Sequence, residues 1–308
     1  MNKLLMLAGA TLLTIAGCSS SSGSDSDAGV DGGSTRSCAT DIAVGEVQPF
    51  GDPVATRTEG ITFDAAGTLF VSAIVNDGDD QLIQFSPDGS QEVVAESESI
   101  LGLASEETGI LGAAIGTGEL LLIDPATGVS TPIADGLGAP NFVVTTPWGT
   151  TLVSDDSTGT DTIREVTLDG DVSIWVEGVP TPNGMVFSLD NRTLYVAATF
   201  EGVGLWRVPV SEAGVAGTPE QWVSFGAAST PDGVAIDSEG NVYVALNIND
   251  EIAQVKPDGT VTIIVEGVSK PASLAFGQGE YDPCSLYVTN LFGPQVWRVG
   301  IGVLGTEN

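Results

Sequence analysis

The chain has 308 residues with 41 acidic and 9 basic side chains, a formal charge of −32, no histidine, three cysteines and 40 glycines. Its 42% hydrophobic content is that of a globular chain with a substantial core, and its few basic groups exclude a nucleic-acid or anionic-membrane surface built on positive patches. Without histidine there is no Ser-His-Asp or Cys-His unit and no imidazole zinc centre, so any chemistry falls to carboxylates, amides, hydroxyls or a hard cation.

The first elements are an address rather than a fold. Residues 1–17, MNKLLMLAGATLLTIAG, carry one lysine and an apolar run too short for a settled membrane span. Ile15-Ala16-Gly17-Cys18 resembles the bacterial lipobox, which implies a signal peptide over 1–17 and lipidation of Cys18. From Ser19 to Ser37, 15 of 19 residues are Ser, Gly or Asp, so 18–37 reads as a lipidated cysteine and flexible linker ahead of a folded region at 38–308. The expected location is the bacterial cell envelope, at the outer membrane or facing the periplasm, with membrane contact through the lipid alone. Cys38 and Cys284 remain; two separate buried thiols would fit the count, but an exported compartment favours a disulfide. Closing so long a loop is worth up to about 5 kcal/mol.

The body repeats a phrase of about forty residues: an apolar stretch, a short Gly-containing turn and a second apolar stretch. Copies are GITFDAAGTLFVSA from Gly60, FVVTTPWGTTLVSD from Phe142, GMVFSLDNRTLYVA from Gly184, GVAIDSEGNVYVA from Gly233 and SLAFGQGEYDPCSLYVTN from Ser273, with a weaker one from Ile100. Two further short apolar runs follow most copies. Four short strands per unit and no long 3.6-period stripe predict an all-β, six-bladed β-propeller with four antiparallel strands per blade. The sixth copy has three clear strands, so the fourth is expected from about Ile42 to Val47. That closure brings Cys38 near Cys284.

Aligned on the residue before each first strand, the repeats give Glu59, Ile100, Asn141, Asn183, Asp232 and Ala272. Four of these carry oxygen. Two carboxylates and two amides directed at one axis suit calcium, with magnesium or manganese as alternatives; plain turn chemistry is the competing explanation. The loops after each second strand supply candidate pocket residues Asn76, Asp155, Phe200, Asn247 and Asn290. Trp206 and Trp297 fall at equivalent third-strand positions and read as packing between blades.

TEG at Thr58, PNGMVFSLDNRTLYVA at Pro182 and PDGVAIDSEGNVYVA at Pro231 resemble the senescence marker protein (regucalcin), gluconolactonase and luciferin-regenerating enzyme family, over about Thr58 to Val299. The resemblance implies a six-bladed propeller with one divalent metal in its channel, held by Glu59, Asn183 and Asp232 with Asn141 close by. It implies a metal-dependent hydrolase of a lactone or related ester, the metal polarising the carbonyl and Asp232 assisting water attack. The segment Ala139-Pro140-Asn141-Phe142 lacks the arginine and following aspartate that the family pattern has there. The alternative is a non-catalytic, metal-containing propeller that binds a sugar or protein partner. The expected partner is a small-molecule substrate, with no nucleic acid, and the chain reads as a monomer.

Overall fold

In the computed structural model the described residues are 38, 41–54 and 56–306; the expected signal peptide, Cys18 and the linker to Ser37 lie outside them. Inner and outer strands of one blade differ in composition because they meet different surroundings. In blade five, Pro231–Ile236 and Val242–Leu246 are buried at every residue, whereas outermost Val261–Glu266 is exposed along most of its length. A strand packed between neighbouring blades on both faces takes a near-continuous apolar run, and one at the rim needs apolar groups only on its inner side.

Among the described residues the strands number twenty-four, in six four-stranded antiparallel sheets. The inner strands touch their neighbours all the way round, from Arg57–Phe63 to Leu103–Glu106, Val143–Thr145, Pro182–Phe187, Pro231–Ile236, Pro271–Phe276 and back. Apolar clusters fill the spaces between successive blades, such as Tyr243, Leu274, Phe276 and Val288 between blades five and six. Trp206 and Trp297 pack partly buried against two of these clusters. Four strands per unit and six units match the sequence reading.

Two details of that reading are corrected. The strand completing blade six is Val47–Phe50, which pairs with Val296–Gly300 from Val47↔Val299 to Phe50↔Val296. The expected span of Ile42 to Val47 fails because residues 43–46 are a turn: Gly45 has φ +81°, and the Glu46 N–H donates to the Ala43 carbonyl at 3.0 Å. In blade two the residue at the aligned position is Leu101, not Ile100. A Cβ on Gly60 would meet the Leu101 carbonyl, just as one on Gly102 would meet that of Asn141 and one on Gly184 that of Asp232. Cys38 is bonded to Cys284, with the Cα atoms 5.6 Å apart. Arg298 ties the same seam, its guanidinium reaching Asp41 at 2.5 Å and Asp282 at 2.6 Å.

Candidate functional site

Four of the six inner strands begin with an irregularity that takes one residue out of the regular pairing. Register shifts lie between Thr58 and Ile61, Pro182 and Met185, Pro231 and Val234, and Pro271 and Leu274. Glu59, Asn183, Asp232 and Ala272 sit inside these shifts, where a bulge turns a residue out of the alternation of its strand. Asn141 enters blade three at the matching place, its N–H donating to the Ser154 carbonyl at 2.8 Å.

The glycines after Glu59, Asn183 and Asp232 have a packing reason. A Cβ on Gly184 would lie 2.4 Å from the Asp232 carbonyl oxygen, and one on Gly233 2.6 Å from that of Ala272. Only glycine lets neighbouring inner strands come this close. The Asn-Gly and Asp-Gly pairs here are therefore not hairpin turns; they draw the ring tight around its axis.

Glu59, Asn141, Asn183 and Asp232 are all buried, at 2, 7, 2 and 6% exposure. Glu59 Oε2, Asn141 Oδ1, Asn183 Oδ1 and Asp232 Oδ1 each lack a hydrogen-bond partner. Buried oxygens are nearly always satisfied, so four orphaned acceptors at one repeat position need an explanation in function. Burial pushes the Glu59 carboxyl well above its ordinary range, and the charges of Asp232 and then Asp156 push it further. Asp232 is raised by burial and by Asp156, against a smaller opposing hydrogen bond from Asn183. The site thus gathers negative charge and oxygen acceptors from blades one, three, four and five.

Asp156 belongs to this cluster, although sequence reasoning named its neighbour. Asp156 Oδ2 accepts from Asn183 Nδ2 at 3.3 Å, and its carboxylate also takes a hydrogen bond from the Asn141 amide. Burial raises its pKa, and the Asn141 bond opposes the rise. Asn183 Nδ2 also donates to Thr199 Oγ1 at 3.1 Å. Asn183 Nδ2 is thus engaged, and Oδ1 is the amide atom left without a partner. The signal was in the strand pairing: Val143↔Val153 and Met185↔Val196 make Asp156 the counterpart of Thr199.

The pocket residues expected from the loops have different surroundings. Asp155 is spent on its own loop, accepting from Ala139 N at 3.2 Å and Ser157 N at 2.9 Å. The buried Asn247 amide donates to the Lys270 and Pro271 carbonyls at 3.3 and 3.1 Å. The buried Asn290 accepts from Phe292 N at 3.1 Å. Asn76 and Phe200 are exposed. Two surface depressions lie at the other end of the strands, lined by turn residues such as Ser86, Pro87, Gly279 and Tyr281. They hold none of the orphaned oxygens, so the axial cluster is the better candidate.

Among the described residues no three Asp, Glu, Cys or His side chains form a metal cluster by themselves. The donor set here is mixed, two carboxylates with two amide oxygens. Its orphaned acceptors fit a hard divalent cation, whose charge would offset the mutual repulsion of the acids.

The family model for the SMP-30/Gluconolactonase/LRE-like region matches residues 57–291. A pentonolactonase, XacC, of Haloferax volcanii is 29% identical over 231 residues, covering 72% of this chain and 78% of the relative. Among solved structures, a gluconolactonase from Xanthomonas campestris superposes with a TM-score of 0.69 at 19% identity, covering 85% of this chain and 99% of its own. A calcium-binding regucalcin from Agrobacterium tumefaciens gives 0.68 at 24% identity, covering 84% and 93%. Both structural likenesses are of fold.

Proposed function

The chain belongs to the SMP-30/Gluconolactonase/LRE-like family, and on that premise we propose that it hydrolyses a lactone with the aid of a divalent cation, calcium foremost, held by Glu59, Asn141, Asn183 and Asp232. The observation that carries this reading is the set of four buried oxygens without partners, one from each of four blades. The names of the relatives support it: one is a pentonolactonase, one a gluconolactonase and one a calcium-binding protein.

Two carboxylates and two amide oxygens suit calcium, with magnesium or manganese next and soft metals poorly served. Bound there, the cation supplies Lewis acidity to the lactone carbonyl and lowers the pKa of the attacking water. Asp156 and Thr199 engage the Asn183 amide nitrogen and leave its oxygen without a protein partner. Asp232 takes the proton of the attacking water on a carboxylate oxygen as water adds to the acyl carbon, and returns it to the ring oxygen as the acyl carbon–oxygen bond breaks. The closely packed inner strands keep bulk water from the buried side of the site.

Proton release on a panel of lactones and esters tests the reading. Hydrolysis that disappears with chelator, returns with calcium and is absent in Asp232→Ala is expected. Calcium binding without turnover would leave a non-catalytic binding module. Absence of calcium, magnesium and manganese binding by the folded protein would overturn the metal site and the hydrolase together.

A further inference from the structure

Resting on the lactonase reading, we infer that the substrate carries an apolar alkyl or aryl substituent, which lies on a ledge formed by Phe200, Ile248 and Phe292. These residues occupy one repeat position in three successive blades. Pro182↔Ala198, Pro231↔Leu246 and Pro271↔Asn290 are equivalent pairs, and each ledge residue follows the second member by two. All three therefore stand at the end of the strands where the axial oxygens lie. Their exposures are 55, 59 and 67%.

Single exposed apolar side chains are ordinary, but these three are placed and held. The Phe200 N–H donates to Thr181 Oγ1 at 3.0 Å, that of Ile248 to Thr230 Oγ1 at 2.9 Å and that of Phe292 to Asn290 Oδ1 at 3.1 Å. Each backbone is fixed while the side chain stays in water. The other exposed large apolar residues are arranged differently: most lie on outermost strands, such as Ile174 and Ile263, or in turns at the opposite end, such as Leu168 and Leu189.

The ledge adjoins the site at Phe200. Phe200 follows Thr199, whose hydroxyl accepts from the Asn183 amide. On blades two and three the positions matching the ledge are Gly116 and Ser157, so at this repeat position the large apolar side chains fall on one arc of the mouth, with Ile115 beside Gly116 an exposed apolar residue on the other. The apolar arc offers few free donors to a polyhydroxylated ring. Lys270, at the entry to blade six, is held by Asp250 at 2.8 Å and the Ile248 carbonyl at 3.2 Å. Ahead of Asn141 stand Ala139 and Pro140, whose side chains donate nothing. A ring with its carbonyl toward the axis would rest a hydrocarbon arm on the ledge. Water adds to the acyl carbon, the ring carbon–oxygen bond breaks, and the alkoxide takes up a proton. The product is a hydroxy acid that ionises with release of one proton.

The test is kcat/KM of the full-length chain on γ-lactones from unsubstituted butyrolactone through alkyl chains of increasing length, beside polyhydroxylated aldonolactones. A ledge open to water on one side captures about half the transfer energy of a methylene, so kcat/KM should rise about twofold per added carbon over the first few. In Phe200→Ser/Ile248→Ser/Phe292→Ser, whose positions are exposed and spare the core, that slope should flatten. Turnover of butyrolactone with no dependence on chain length, or a tenfold preference for aldonolactones, overturns the ledge while leaving the lactonase reading intact. No hydrolysis of any lactone removes that reading and this inference with it. A triple variant that keeps the slope but loses self-association or binding to phosphatidylcholine vesicles assigns the ledge to a second copy or a lipid surface and overturns the proposal.

Discussion

Two carboxylates stand at opposite ends of one inner strand, and the chain treats them in opposite ways. Asp237, just past the end of Pro231–Ile236, is fully buried and accepts from four donors: Glu239 N at 2.9 Å, Asn241 N at 2.9 Å, Asn241 Nδ2 at 2.7 Å and Tyr243 Oη at 2.8 Å. Asp232, in the bulge at the other end, is nearly as buried and keeps an oxygen with no partner. Satisfying a buried acid is thus within reach of this fold. The acid left unsatisfied five residues away is kept at a cost in stability, which is what the proposed cation would offset.

The largest effect should come from breaking the satisfied acid. Asp237→Ala leaves two backbone N–H groups, an amide and a phenol without their acceptor. At about 1–3 kcal/mol for each donor that stays orphaned, a loss of about 3–5 kcal/mol is expected in urea unfolding. Asp232→Asn should act on the other axis, weakening calcium binding by about 100-fold or more in calorimetry, since loss of outer partners alone costs 10–100-fold. In chelator the same variant should melt higher than wild type at neutral pH, because it removes a buried charge. A variant that melted lower there would show Asp232 to be a structural acid after all.

Asp156→Ala comes next. It frees the Asn141 and Asn183 amides to rotate, and calcium affinity should fall about 10–100-fold while the melting temperature in chelator changes little. The finest test is pH. The raised folded-state pKa of Asp232 means that its contribution to metal-free stability is present in acid, below the ordinary carboxylate range, and is lost as pH rises through the folded value. The melting gap between Asp232→Asn and wild type in chelator should therefore open as pH rises above the ordinary carboxylate range, and saturating calcium should close or reverse it.

Much of this architecture could be read before any coordinates, for reasons particular residues show. Repeated pairs such as Pro182-Asn183-Gly184 and Pro231-Asp232-Gly233 record a backbone approach that only glycine allows, so the inner-strand position was legible from composition. In blade two the marker shrinks to Gly102 among apolar residues, and the alignment slipped by one, to Ile100 instead of Leu101. Asp155 and Asp156 are chemically alike and adjacent; which one faces the axis depends on the register against Val143, a tertiary fact. Asn247 and Asn290 looked free because polar loop residues usually are, whereas here Asn247 satisfies backbone carbonyls across the join between blades five and six and Asn290 satisfies the Phe292 N–H in its own loop.

The pairing of Val47–Phe50 with Val296–Gly300 also sets a schedule for the chain. Blades one to five each draw on a single continuous stretch and can form as they are made. The edge strand of blade six is made first and has nothing to pair with until the final strands follow it. Closure of so distant a contact is slow compared with local hairpins. Until then the axial residues of blades one and five have blade six missing between them, so the closed ring of axial oxygens is the last thing this chain acquires, at the moment its two ends meet.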